Sequence, residues 1–119
     1  MKVIVAGTRT FDDPKIVEEC LKRIDFPIAE IVSGGCRGID SLAINWALSH
    51  NVPYTVFKAD WGKYGKRAGP IRNQEMVNYA DAIVAIWDGS SRGTKDVINK
   101  AKNKGLKINL FEEVTQEDS

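Results

Sequence analysis

Histidine, cysteine and long apolar runs are what this 119-residue chain has least of. It holds one histidine, His50, and two cysteines, Cys20 and Cys36. Two cysteines are too few for a disulfide framework, and one histidine beside them argues against a zinc site or a histidine-based triad. No metal and no cofactor is therefore expected. No apolar run approaches the roughly 20 residues that a membrane-spanning helix needs, so no membrane partner is expected. The opening Met1-Lys2-Val3-Ile4-Val5-Ala6-Gly7 is too short an apolar stretch for an export signal, and polar residues follow it at once. The expected location is the cytoplasm. Charge of one sign is also lacking: 17 basic and 16 acidic residues leave a formal net charge of +1. That balance gives no global attraction to DNA or to membranes, so any electrostatic recognition must come from local patches.

What the chain does have is a regular alternation of strand and helix signals. Val3-Ile4-Val5-Ala6 is apolar at every position, as expected of a parallel strand buried on both faces. Asp13-Pro14 reads as an N-cap followed by proline at the first helical position, and Ile16, Val17, Cys20, Leu21 and Ile24 place a helix near 14–24. Ile31-Val32-Ser33 ends a second strand. Ile39, Leu42, Ala43, Trp46 and Ala47 share one face of a second helix. Tyr54-Thr55-Val56-Phe57 is a third strand. Lys58 to Gly69 reads as a long polar connection, with Pro70 opening a third helix to about Ala80. Ala82 to Trp87 is a fourth, wholly apolar strand. A helix at about 94–104 ends at Gly105 in a left-handed cap, and Lys107 to Phe111 is a fifth strand. The order predicts an α/β fold: a single Rossmann-like domain over residues 1–111, with a doubly wound sheet of about five mostly parallel strands. Residues 112–119 carry four acids and no base, and are expected to form an acidic, fraying tail.

Right-handed crossovers put every strand-to-helix turn on one edge of such a sheet, where open α/β sheets form their ligand crevice. Ser33-Gly34-Gly35-Cys36-Arg37-Gly38-Ile39-Asp40 is a glycine-rich turn entering a helix. It can bring backbone N–H groups to an anion, or it can need glycine only for its dihedrals. Gly69-Pro70-Ile71-Arg72-Asn73 puts a cation in an expected first helical turn, against the helix dipole, which suits a site with an anion to neutralise. Asp88-Gly89-Ser90-Ser91-Arg92-Gly93-Thr94 suits phosphate or ribose oxygens and equally suits plain helix capping. Lys58 to Arg72 carries five bases against Asp60, interleaved with Trp61 and Tyr64. Such a segment can be a solvated loop, a lid over one nucleotide, or a grip on single-stranded nucleic acid. Cys36, in the glycine turn beside Arg37, reads as a small turn residue.

The glycine turn resembles that of the DNA-processing DprA/Smf proteins. Arg72-Asn73 with Met76, then Ala80-Asp81-Ala82, then Gly93-Thr94, resembles the layout of the LOG cytokinin-activating enzymes and lysine-decarboxylase-like proteins. Both belong to the SLOG superfamily of Rossmann-like domains. The opening Val5-Ala6-Gly7-Thr8-Arg9 and the Gly69-Pro70-x-Arg72-Asn73 block most resemble its stand-alone YspA-like branch, found in bacteria and phages. The resemblance covers about residues 2–110. It implies a binder or sensor of a nucleotide-derived ligand such as a nucleoside phosphate or ADP-ribose, and by analogy a homodimer or higher homo-oligomer.

On this basis Gly7, Thr8, Arg9, Gly34, Gly35, Arg37, Asp40, Arg72, Asn73, Asp88, Gly93 and Thr94 are the expected ligand-binding residues. Arg9, Arg72 and the amides at Gly34-Gly35 and Gly93-Thr94 would hold phosphate; Asn73 and Asp88 would hold ribose or a base edge. The LOG enzymes carry a catalytic glutamate where Val97 stands here, and Asp96 is one residue, about 100° of helix, to the side. Hydrolysis of an N-glycosidic or phosphoester bond is therefore an alternative that needs a substitute carboxylate, Asp40, Glu75 or Asp96. Single-stranded DNA binding is the further alternative, with nucleic acid the less favoured partner.

Overall fold

The computed structural model describes residues 1–112; the acidic segment beyond Glu112 lies outside them. Five strands, β1 (Lys2–Gly7), β2 (Glu30–Ser33), β3 (Tyr54–Val56), β4 (Ala82–Trp87) and β5 (Lys107–Glu112), form one sheet in the order β3-β2-β1-β4-β5. Every neighbouring pair is parallel. The fifth strand thus takes in Glu112, one residue beyond the expected end.

Burial explains the order. Val3, Ile4 and Val5 of β1 and Ala82 to Ile86 of β4 have no exposed surface, so these two wholly apolar strands occupy the middle. Lys107, Leu110 and Glu112 are exposed on β5, as are Tyr54 on β3 and the margins of that strand, and these are the edges. Alternation splits the side chains between two cores. Val3, Val5, Ala82, Val84 and Ile86 face helices α1 (Pro14–Lys22) and α2 (Ile39–Ser49). Ile4, Ile83 and Ala85 face helices α4 (Ala68–Tyr79) and α5 (Arg92–Lys104). Each fully buried valine or isoleucine is worth about 1.5–3 kcal/mol against exposure.

Local signals set most helix ends. Asp13 caps α1, its carboxylate accepting from the Lys15 amide at 3.0 Å. Gly105 ends α5 in the left-handed region, at φ 85°. The first helix stops at Lys22, two residues early. Two departures matter for the site. The connection after β3 is not all loop: Asp60 caps a short helix α3 (Trp61–Tyr64), followed by a 3-10 turn over Gly65–Arg67 that runs directly into α4. Helix α4 therefore begins at Ala68, not at Pro70, and Arg72 and Asn73 sit in its second turn rather than its first.

The chain leaves β3 at one side of β1 and re-enters the sheet as β4 on the other side. Adjacent turns diverge there, which opens a crevice at the C-terminal ends of β1 and β4. Among the described residues no helix is long and apolar enough to cross a membrane.

Candidate functional site

The turn from β2 to α2 satisfies much of its own backbone. Ser33 Oγ accepts from the Gly35 amide at 3.1 Å and donates to the Asp40 carbonyl at 3.1 Å. Asp40 Oδ2 accepts from the Cys36 amide at 3.2 Å. Gly38 has φ +74°, and a Cβ there would lie 2.4 Å from the Thr8 carbonyl oxygen, so only glycine lets this turn press against the turn after β1. The Gly35 amide, expected to face phosphate, is thus engaged within the turn. Arg37 is exposed and is not among the residues that line the crevice.

Arg72 reaches this turn from α4. It is 8% exposed. Its Nη1 donates to the Gly34 carbonyl at 2.8 Å and its Nε to Asn73 Oδ1 at 3.0 Å. A Cβ on Gly34 would sit 2.8 Å from Nη1 and 2.9 Å from Asp40 Oδ2, so glycine is what allows the guanidinium and the carboxylate to flank it. The ion pairs among the described residues are Lys22–Glu19, Lys100–Asp96 and Lys107–Asp25; the buried Arg72 has none. Asn73 donates to Asp96 Oδ2 at 2.9 Å and to the Gly93 carbonyl at 3.3 Å, which ties α4 to α5. Its amide is consumed in positioning. Burial pushes the Asp40 carboxyl above the usual range, against the pull of the Cys36 amide and the positive charges of Arg72 and Arg9.

The turn from β4 to α5 is built by Asp88. Its Oδ1 accepts from the Ser90 and Ser91 amides at 2.9 and 3.0 Å, and these bonds hold its carboxyl below the usual range. Its own amide donates to Thr8 Oγ1 at 3.0 Å. Asp88 and the buried Thr8 thus join the two central turns and do not line the crevice. Helix α5 then starts without a side-chain cap at Ser91. The amides of Arg92, Gly93 and Thr94 have no acceptor among the described residues. A Cβ at Gly93 would meet nothing within 4 Å, and its φ is not positive.

These turns enclose a cleft of about 310 Å³. Of the expected residues, Gly7, Arg9, Asp40, Arg72, Asn73, Gly93 and Thr94 line it. Thr8, Gly34, Gly35, Arg37 and Asp88 stand behind or beside it. Sequence reasoning left out Ser91 and Arg92, which also line it; the open start of α5 is the signal that could have found them. Among the described residues three arginines, Arg9, Arg72 and Arg92, and a single carboxyl, Asp40, line the cleft, which makes it cationic. Buried Val97 closes part of its wall. Asp96 is held by Asn73 and Lys100, and exposed Glu75 lines a neighbouring cavity instead. Among the described residues Asp40 is the one carboxyl that lines the cleft.

A three-layer Rossmann-like domain with a cationic cleft at its strand switch point is the class that fold and site define. The DprA protein of Streptococcus pneumoniae, in its X-ray structure, superimposes with a TM-score of 0.76 at 19% identity, over 98% of this chain and 52% of that one. The chain thus spans about half of DprA, and the likeness is one of fold. A sequence profile of the YAcAr family (YspA, cpYpsA-related SLOG) matches residues 1–64. The Gene 61 protein of Mycobacterium phage D29 is 33% identical over 92% of this chain and 95% of its own length. The prophage-derived YoqJ protein of Bacillus subtilis (strain 168) is 34% identical over 49% of this chain and 34% of its own. The chain belongs to the YspA, cpYpsA-related SLOG family.

Proposed function

We propose that the cleft binds a nucleotide or nucleotide-derived ligand through its phosphate. The observation that carries this is a convergence: the uncapped start of α5, with three amides lacking acceptors, opens onto the same cleft as Arg9, Arg72 and Arg92. A helix N-terminus supplies partial positive charge and directed N–H donors, and guanidinium groups supply full charge in a fork matched to phosphate oxygens. Thr94 and Ser91 hydroxyls, 3.3 Å apart, add polar partners beside those amides. Family membership is in keeping with a nucleotide-related role.

A thermal-shift panel of nucleoside mono-, di- and triphosphates and ADP-ribose tests it. Ligand at a hundred times its Kd adds about 2.7 kcal/mol to stability, which raises Tm by several degrees in a domain of this size. Arg9→Gln and Arg92→Gln alter exposed residues, and each is expected to cost about tenfold in affinity by removing a charge-assisted contact. No shift with any nucleotide at millimolar concentration would overturn the proposal.

Asp40 supports a second role for the same cleft. A buried carboxyl with a raised pKa, beside bound phosphate or ribose, suits a general acid in cleavage of an N-glycosidic or phosphoester bond. Chromatography after long incubation with excess protein would show product, and Asp40→Asn would abolish it. Unchanged nucleotide restricts the site to binding.

A further inference from the structure

We infer that the site has a second anion-binding compartment, reached through Arg72, and that its ligand carries two separate anionic groups. This rests on the phosphate-binding role of the first cleft. The guanidinium of Arg72 has three nitrogens. Nε and Nη1 are engaged by Asn73 and Gly34, with Cys36 Sγ at 4.0 Å as a further contact of Nη1. Nη2 has no acceptor among the described residues and is the part of this largely buried side chain that keeps contact with solvent, since none of their fully buried side-chain nitrogens or oxygens lacks a partner. It is directed toward Gly69, 4.0 Å from the position a Cβ would take there, and the Trp61 ring edge lies 3.3 Å from that same point.

Arg72 is common to the walls of two cavities, the cleft and a neighbour of about 210 Å³. The neighbour is lined by Lys58 and Lys63 as well. Of its two carboxylates, Asp60 is turned to capping α3, where its Oδ1 accepts from the Lys63 amide at 3.1 Å. Glu75 faces the cavity as an acceptor suited to hydroxyl groups, as on a ribose. Tyr64 is the aromatic residue that lines this cavity, and Trp61 of the same short helix is 53% exposed, which leaves ring surface nearby for stacking a base. Two lysines and an unpaired guanidinium N–H pair thus converge where the main cleft ends. An anionic group there would take the place of solvent at Nη2 and neutralise a cation that no carboxylate among the described residues pairs. The ligand class is a nucleotide with phosphate at two separate positions of its ribose.

Calorimetric titration of the full chain tests this with three probes: adenosine 5′-monophosphate, adenosine 3′,5′-bisphosphate and adenosine 2′,5′-bisphosphate. At least one of the two larger probes is expected to bind about tenfold or more tightly than the monophosphate, the gain of one charge-assisted contact. Lys58→Gln and Lys63→Gln change exposed side chains, and unchanged melting temperatures confirm their folding. They are expected to shrink that preference about tenfold while monophosphate affinity stays the same. Arg92→Gln, on the far side of the cleft, should weaken all three probes alike. Equal affinity for the three probes, or a preference untouched by both lysine variants, overturns the second compartment alone. Absence of binding by every probe overturns the phosphate cleft and the second compartment together.

Discussion

Arg72 and Asp40 bring opposite charges to either side of Gly34 without forming an ion pair. The arginine pins the β2–α2 turn to α4, while the carboxyl is desolvated enough to resist ionisation. The sign of the resulting pH dependence is fixed. The folded pKa of Asp40 lies above its ordinary value of 3.8, so between the two the native state keeps a proton that the unfolded chain has released. Stability supplied by the neutral form is complete below the ordinary value and is lost as pH rises through the folded pKa. Asp40→Asn keeps an acceptor for the Cys36 amide and cannot ionise. Its Tm relative to the parent is expected to climb as pH rises above 3.8 and to level off once the parent's Asp40 is ionised; a constant Tm difference over that rise would refute this account. Sequence reasoning singled out both residues as ligand contacts but missed their structural duties. The Arg72–Gly34 bond joins positions 38 apart, and no local pattern reports it. Asp88 and Asn73 were chosen for ribose because their side chains are polar and near turns. Their atoms are in fact bonded within the protein, which is the ordinary fate of such residues in tight turns.

Helix α5 poses a question of elements. Glycine at its second position, Gly93, is required neither by dihedral angle nor by crowding, and it costs helix stability relative to alanine. The space a methyl group would fill is the cleft. Gly93→Ala is expected to stabilise the unliganded protein by about 0.5 kcal/mol, because alanine is the better helix former. The same methyl should weaken nucleotide affinity about tenfold, by crowding a phosphate held at the amides. Chemical denaturation and calorimetry together check both signs; unchanged affinity would place the phosphate elsewhere. The strands were legible because Val3–Ala6 of β1 and all of β4 are apolar and are bounded by glycine or aspartate. Helix α3 was not, because four residues held by an Asp60 cap have no periodicity to read. The start of α4 slipped for a related reason: the preceding 3-10 turn feeds the chain into the helix two residues ahead of Pro70, so the proline sits inside the first turn rather than opening it.

At the scale of the whole molecule, alternation of strands and helices implied a parallel sheet but not its order. The order follows from which strands are apolar on both faces, and the exposed Lys107, Leu110 and Glu112 of β5 fit an edge strand. That order sets the site, since the crevice forms only where the chain reverses direction across β1. It also bears on nucleic acid as a partner. The likeness to DprA extends over about half of that protein, and a net charge of +1 supplies little long-range attraction to a polyanion. Three of the five bases of the 58–72 segment, Lys58, Lys63 and Arg72, are gathered around a cavity of about 210 Å³. Single-stranded oligonucleotides are therefore expected to bind no more tightly than about 10⁻⁵ M at physiological salt, within the range of non-specific attraction. Their affinity should fall with salt while that of a mononucleotide in the enclosed cleft changes less. Fluorescence anisotropy with labelled oligonucleotides over a salt series measures this. Nanomolar binding with a slope of several released counterions would instead make the Trp61 segment a strand-binding surface, and the cleft its entry point for a single base.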